Sequence, residues 1–136
     1  MSLLRSLVPL VCCMHLYLAW HSSPTVFRFT APSAPDRHRE LLRIYSDYLP
    51  TNVDAERVAD ADIGQVLYEA IARFLDGLGV PRGLEKLGYT KDDVPRLVKG
   101  AIPQRRVLDL APGIGNVAGA DGEENLTDIV AASLSY

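Results

Sequence analysis

The sequence has 136 residues, of which 48% are hydrophobic and 23% charged, and its net charge is -3, which fits one small globular domain. This apolar content excludes an intrinsically disordered chain. With 17 acidic against 14 basic residues, no excess of positive charge is present to neutralise a phosphate backbone, so we expect no nucleic-acid partner. The two cysteines, Cys12 and Cys13, are adjacent and predict neither a disulfide framework nor a spaced thiolate metal site.

An apolar segment opens the sequence. Met1 to Trp20 has one charged residue, Arg5, and its hydrophobic run is broken only by a proline and His15. This layout is typical of a signal-peptide n-region and h-region, and it is too short and interrupted to predict a membrane span. Because no cleavage site is evident, a secretory signal, an organelle transit peptide and a non-homologous first exon stay open as interpretations. We place a leader or foreign exon at residues 1–22 and the domain at residues 23–136.

A loop followed by a helix is predicted next. Pro24, Pro32 and Pro35 indicate an extended or loop passage between them. Asp36 is then expected to cap a helix that ends at Pro50. Its apolar positions recur at helical spacing and are Leu41, Leu42, Tyr45 and Leu49. Its exposed side would hold a basic group, either solvated or able to bind phosphate, made of Arg37, His38, Arg39 and Arg43.

The clearest helical periodicity lies in the middle of the chain. Its apolar positions, at steps of three and one, are Ile63, Val66, Leu67, Ala70, Ile71, Phe74, Leu75 and Leu78. Gly77, Gly79 and Pro81 mark the end of this core-facing helix. Asp62 and Glu69 fall on the opposite side, which predicts solubilising charges rather than a catalytic pair.

Two further helices complete an all-α prediction. Thr90 and Asp93 have capping-box spacing, and Pro95 early with Gly100 just past the end is typical of a short helix. A last helix is predicted from Glu123 or Asn125 to the terminus. Its core-facing residues would be Leu126, Ile129, Val130 and Leu134. Alternating strand patterns are nearly absent.

Two features suggest catalysis at first sight. The segment VLDLAPGIG, Val107 to Gly115, resembles the first motif of nucleotide-fold methyltransferases. Pro112 replaces its first turn position, and the residues that follow are too few to complete a doubly wound sheet, so we do not adopt this interpretation. The three histidines, His15, His21 and His38, are scattered without an acidic neighbour at ligand spacing, and spacing alone therefore predicts no metal site.

Two long blocks resemble a known family. The blocks are SPTVFRFTAPSAPDRHRE, Ser23 to Glu40, and LGYTKDDVPRLVKGAIPQRRVLDLAP, Leu87 to Pro112. They closely resemble the carboxyl-terminal part of the iron-containing alcohol dehydrogenase family, and within it the mitochondrial hydroxyacid-oxoacid transhydrogenase branch. The amphipathic helix between the blocks is similar in place and pattern. A weaker similarity continues through Glu123, Glu124 and Leu126.

The resemblance implies a two-domain enzyme with a nucleotide-binding domain and an all-helical carboxyl-terminal domain. Iron, sometimes zinc, would lie in the cleft between the domains, and NAD would be the hydride carrier. Members of the branch oxidise gamma-hydroxybutyrate to succinic semialdehyde while reducing alpha-ketoglutarate. The expected location is therefore mitochondrial, with secretory entry through residues 1–20 as the alternative.

These 136 residues depart from the family in ways that bear on activity. They contain no glycine-rich phosphate loop, no nucleotide domain, and neither the aspartate nor the first two histidines of the metal set. The family places its last ligand eight residues before the serine of a Ser-Pro pair, and His15 stands eight residues before Ser23. Met14 and Leu16 replace the flanking proline and glycine of that motif.

We accordingly expect a carboxyl-terminal fragment of such an enzyme that retains no cofactor and is inactive alone. The resemblance leaves His15 as the one candidate metal ligand. The alternatives are a non-catalytic helical protein that binds a full-length paralogue or a second copy of itself, and a small secreted helical protein.

Overall fold

A computed structural model describes residues 21–50, 53–115 and 119–136 as a helical structure. The helices are α1 at residues 21–30, α2 at Pro35–Tyr45, α3 at Asp60–Gly77, α4 at Val94–Ala101, α5 at Arg105–Leu108 and α6 at Ala120–Ala132. Short 3-10 helices lie at Ala31–Ser33, Ser46–Tyr48, Ala55–Arg57, Leu84–Leu87 and Lys91–Asp93. Within the described ranges there is no strand, so the all-α prediction is confirmed.

No helix in the described part of the chain is both long enough and apolar enough to span a bilayer. The predicted leader, with Cys12, Cys13 and His15, lies outside the described residues.

α1 is helical where the sequence analysis predicted a loop passage, and that prediction was wrong. No proline lies between Thr25 and Ala31, so the backbone there can hydrogen-bond as a helix, and Pro32 falls in the 3-10 helix that follows. The helix also packs closely on α3, because a Cβ atom at Gly64 would lie 2.9 Å from the Arg28 carbonyl oxygen. Tertiary packing thus stabilises a helix that local signals do not indicate.

α2 and α3 enclose the first of two hydrophobic clusters, which we call the α2–α3 cluster. Its buried members are Leu42, Ala55, Leu67, Ala70, Ile71 and Leu75. The periodicity predicted for α3 is confirmed as a core-facing stripe, and the helix ends at Gly77 as predicted. Leu78 is an exception, because it caps the carboxyl end of α3 and its side chain is 57% exposed.

The second cluster, the α4–α6 cluster, lies between α4, α6 and the segment that precedes α4. Its buried members are Leu84, Val94, Val98, Ile114, Leu126, Ile129 and Leu134. α1 contributes to both clusters, because Phe27 packs against the α2–α3 cluster while Val26 and Phe29 pack against the α4–α6 cluster. α1 therefore joins the two halves of the core.

Several predicted helix termini are corrected by the structure. α2 begins at Pro35, and its N-cap residue is Ala34, so Asp36 lies in the first turn and makes no cap hydrogen bond. Gly100 lies inside α4 rather than past its end. α6 begins at Ala120, before the predicted start, because the acidic first turn that follows Gly119 is itself a favourable helix start.

Candidate functional site

The basic side predicted for α2 is not uniformly exposed. Arg37 and Arg43 are exposed, but His38 is 5% exposed and belongs to the interior. The Arg39 guanidinium donates to the carbonyl oxygens of Ala55 and Val58, the latter at 2.8 Å, and pairs with Asp60. The prediction that all four basic residues lie on the exposed side of α2 was therefore wrong for His38 and Arg39, and these two do not join Arg37 and Arg43 in one phosphate surface.

His38 and Thr30 form a buried polar pair between α1 and α2. The distance from His38 Nε2 to Thr30 Oγ1 is 2.7 Å, and the distance from His38 Nδ1 to the Ala34 carbonyl oxygen is also 2.7 Å. Since a carbonyl oxygen only accepts, Nδ1 carries the proton in the neutral ring, and Nε2 then accepts from the Thr30 hydroxyl. Both ring nitrogens are therefore engaged within the protein.

This pair was not predicted from the sequence, although both residues lie in the block from Ser23 to Glu40. The signal was the proline-rich turn: Pro35 starts α2 immediately after the chain reverses, so a residue one turn into α2 faces the last turn of α1. The edge of the Phe27 ring packs against the imidazole of His38, with ring centroids 6.0 Å apart. The polar pair and the aromatic ring thus form a contact between α1 and α2.

An apolar pocket lies beside this pair, between α1, α2 and α3. Its volume is about 330 Å³, and its walls include Phe27, Tyr45, Ile71 and Phe74, with Ser23 as a polar lining residue. Tyr45 and Phe74 pack edge to face, with ring centroids 5.4 Å apart. These walls suit an apolar side chain or ligand and provide no cluster of charged groups for proton transfer.

The described residues do not by themselves fit the iron or zinc site that the resemblance implies. Within the described ranges, no group of three or more histidine, cysteine, aspartate or glutamate side chains is placed to hold a metal ion. His38 has no free ring nitrogen to offer, and His21 is completely buried. His15, the one predicted ligand, lies outside the described residues. We derive no metal-assisted step from these residues.

Two carboxylates have lowered pKa values, each for a local reason. The hydrogen bond from Arg82, with its charge and that of Arg73, lowers the pKa of Asp76, and Arg82 Nε lies 2.9 Å from Asp76 Oδ1. The backbone N–H of Thr90, 2.9 Å from Asp93 Oδ2, is the main cause of the lowered pKa of Asp93. The hydrogen bond between Thr90 and Asp93 is the one expected from the predicted capping box. The Asp76 carboxylate stabilises the turn after α3, and the Asp93 carboxylate stabilises the helix start at Thr90.

A tyrosine pair near the carboxyl terminus was also missed by the sequence analysis. The Tyr136 and Tyr68 rings pack edge to face with centroids 5.8 Å apart, and the Arg28 guanidinium lies over the Tyr68 ring at 4.4 Å from its centroid. Burial raises the pKa of the Tyr136 hydroxyl. No local spacing relates these three residues, because they come from α1, α3 and the chain terminus.

The segment from Val107 to Gly115 does not form the strand and glycine turn of a nucleotide site. α5 covers Arg105–Leu108, and turns follow until Gly115. The methyltransferase interpretation, which the sequence analysis did not adopt, has no strand to support it in this segment. Ile114 is instead a buried member of the α4–α6 cluster.

Comparison with known proteins finds hydroxyacid-oxoacid transhydrogenases of several organisms among the relatives of this chain. The chain is 45% identical over 113 residues to the mitochondrial hydroxyacid-oxoacid transhydrogenase of Mus musculus and 41% identical, over the same number, to that of Homo sapiens. It is 42% identical over 91 residues to the probable hydroxyacid-oxoacid transhydrogenase, mitochondrial, of Dictyostelium discoideum. No family model matches the chain, and no solved structure matches it.

These matches cover most of this chain but little of the relatives. They include 83% of this chain for the mouse and human proteins and 67% for the Dictyostelium protein. The chain spans about a fifth of the length of its mammalian relatives, since the matched part is 22% of each. Over its matched residues, the chain belongs to the hydroxyacid-oxoacid transhydrogenase family.

Proposed function

We propose that the helices form one wall of the active-site cleft of an enzyme that transfers hydride between a hydroxyacid and an oxoacid. The observation that carries this proposal is the identity of 45% over 83% of the chain to a protein with that name. The packed double core supports the same view, because α1 holds both clusters together and so gives a rigid helical surface against which a second domain can close.

We further propose that the 136-residue protein does not catalyse this reaction alone. Iron or zinc and NAD would be held mainly by groups that the described residues do not provide. The partner that completes the site would be a full-length paralogue, whereas a second copy of the chain, the other expected partner, would add no nucleotide domain. By resemblance to relatives named mitochondrial, the protein would act in mitochondria. The relatives give the secretory alternative no support.

A direct assay tests the second proposal. The purified protein, supplied with ferrous or zinc ions and NAD, is incubated with gamma-hydroxybutyrate and alpha-ketoglutarate, and succinic semialdehyde is measured. We expect no product above the protein-free blank, whereas a full-length relative measured in parallel gives turnover. Sustained product formation by the 136-residue protein would contradict the proposal.

A chimeric enzyme tests the first proposal independently. Residues 23–136 of this chain replace the matching segment of the mouse transhydrogenase. We expect the chimera to fold and to keep transhydrogenase activity, because the two segments are 45% identical over 113 residues. A folded chimera that binds NAD but lacks activity would show that these helices do not form the proposed wall.

A further inference from the structure

A cleft between α1 and α6, which we call the α1–α6 cleft, combines apolar walls with three polar groups. Its volume is about 450 Å³, within the range of small-molecule sites. The polar groups are Thr25 and Arg28 from α1 and Asp128 from α6, while Phe29 and Ile129 are among the apolar lining residues. The cleft lies on the α6 side of α1, and none of these five residues lines the apolar pocket described above.

Thr25 is the first indication that the α1–α6 cleft receives a ligand. Its side chain is 2% exposed, and its hydroxyl has no hydrogen-bond partner among the described residues. A buried hydroxyl without a partner is costly, and native proteins rarely keep one without a reason. Because Thr25 lines the cleft, a bound molecule that displaces the side chains covering this hydroxyl can supply the missing hydrogen bond.

Arg28 is the second indication. It lies three residues after Thr25, so the two side chains share one face of α1. Its guanidinium is held over the Tyr68 ring, and in the described ranges it makes no ion pair with any carboxylate. A positioned guanidinium fork with unused donors is the group that best matches a carboxylate.

Asp128 on the opposite wall restricts the charge of the ligand. Its side chain is exposed and takes part in no ion pair in the part of the chain that the structure describes. A doubly charged phosphate would be repelled by this carboxylate, whereas a singly charged ligand with a hydrogen-bond donor would satisfy it.

We propose that the α1–α6 cleft binds a small monocarboxylate that carries a hydroxyl or ammonium group next to its carboxylate. Arg28 and Thr25 hold the carboxylate, Asp128 accepts from the neighbouring donor, and the Phe29 and Ile129 walls receive an apolar side chain. This proposal does not depend on the proposed function, because carboxylate binding requires neither a metal nor hydride transfer.

The test is an NMR titration of the purified full chain with 2-hydroxyisocaproate, with leucine as the ammonium counterpart. The neutral amide of 2-hydroxyisocaproate and sodium phosphate are controls. We expect saturable shifts of amides in α1 and α6 with at least one of the two carboxylates, and none with either control. Equal shifts with the neutral amide, or no saturable shift with either carboxylate at millimolar concentration, would overturn the proposal.

Substitutions of Arg28, Thr25 and Asp128 test the role proposed for each side chain in the α1–α6 cleft. Arg28→Gln and Thr25→Val are each expected to weaken binding by about 10- to 100-fold, the range for a lost hydrogen bond to a charged group. Arg37→Gln, at an exposed position on α2, is the matched control and should leave binding unchanged. Asp128→Asn should weaken leucine more than 2-hydroxyisocaproate, which separates the two sources of the ligand.

The Thr25→Val variant is also tested by its thermal stability. Because it removes a buried hydroxyl that lacks a partner, it should raise the Tm of the unliganded protein while weakening binding. A residue that is merely structural would not move these two measurements in opposite directions. A lower Tm together with unchanged binding would contradict the role assigned to Thr25.

Discussion

At the scale of single residues, the interior contains a polar side chain, His38 on α2, whose hydrogen-bond partner Thr30 lies on α1. The His38 ring uses both nitrogens, and Thr30 is the partner that lies on another helix. The Thr30 hydroxyl also lies 3.1 Å from the Val26 carbonyl oxygen, so a second acceptor is available to it on its own helix. The contact between α1 and α2 therefore includes a hydrogen bond between two buried side chains.

Thr30→Val should destabilise the protein. The valine keeps the shape of the side chain but leaves the buried His38 Nε2 without a partner, which costs about 1–3 kcal/mol of the free energy of unfolding. Urea denaturation followed by circular dichroism measures the change. Thr127→Val is the matched control, because the Thr127 hydroxyl bonds at an exposed position to Glu123 and its loss should change stability by about 0.5 kcal/mol or less. Equal effects of both variants would contradict this account.

Asp76 gives a pH dependence whose sign follows from its lowered pKa. Its folded-state pKa lies below the unfolded value, so its stabilising contribution is present above about pH 4 and is lost as pH falls through the folded pKa. Asp76→Asn should therefore lower the Tm at neutral pH and have no effect in strong acid. The side chain is 43% exposed, so solvent screening keeps the effect below about 1 kcal/mol.

The control for this pH prediction is Asp47→Asn. Asp47 is exposed in the 3-10 helix after α2 and makes no ion pair within the described ranges. Thermal unfolding of both variants and the parent protein is followed from neutral to acidic pH. A Tm difference for Asp76→Asn that persists unchanged in acid would show that the Arg82 pair is not its cause.

At the scale of elements, the helices that the sequence predicts are those whose signals are local. α3 has an uninterrupted apolar stripe and a glycine stop, and the structure reproduces both. α1 was missed because local signals do not indicate it, and its close contact with Gly64 involves a residue more than thirty positions later. The α1–α6 cleft was missed for the same physical reason, since Arg28 and Asp128 line one cleft only in the folded chain.

The contact between α1 and α3 is tested by Gly64→Ala. A Cβ atom there would lie 2.9 Å from the Arg28 carbonyl oxygen and 3.1 Å from Ala31 Cβ, and backbone atoms cannot move aside cheaply. This clash should outweigh the gain in helix propensity of up to about 1 kcal/mol and destabilise the protein by about 1–2 kcal/mol.

Gly77→Ala is the matched control on the same helix. Gly77 is the last residue of α3, and a Cβ atom there would have no neighbour within 4 Å. We expect no loss of stability, and a small gain of up to about 1 kcal/mol, from the better helix propensity of alanine. Chemical denaturation compares the two variants. A gain of stability in Gly64→Ala equal to that in Gly77→Ala would show that α1 and α3 are not in close contact.

At the scale of the whole molecule, the question is whether the two clusters unfold as one unit. Phe27 enters the α2–α3 cluster, while Val26 and Phe29, its neighbours on the same helix, enter the α4–α6 cluster. Loss of either cluster would expose one side of α1 and so weaken the other cluster. Since small domains usually unfold in a single transition, this shared helix predicts cooperative unfolding.

Leu67→Ala and Leu126→Ala test this coupling, one substitution in each cluster. Both side chains are at most 5% exposed, and truncation of such a leucine typically costs about 2–5 kcal/mol because a cavity remains. We expect both variants to shift one common urea transition, seen at the same midpoint by circular dichroism and by tyrosine fluorescence. Two separate transitions, with each substitution moving only one of them, would show that α1 does not unite the clusters. In that case the wall proposed for the active-site cleft would consist of two independent halves, and the chimera should lose activity when either half is weakened.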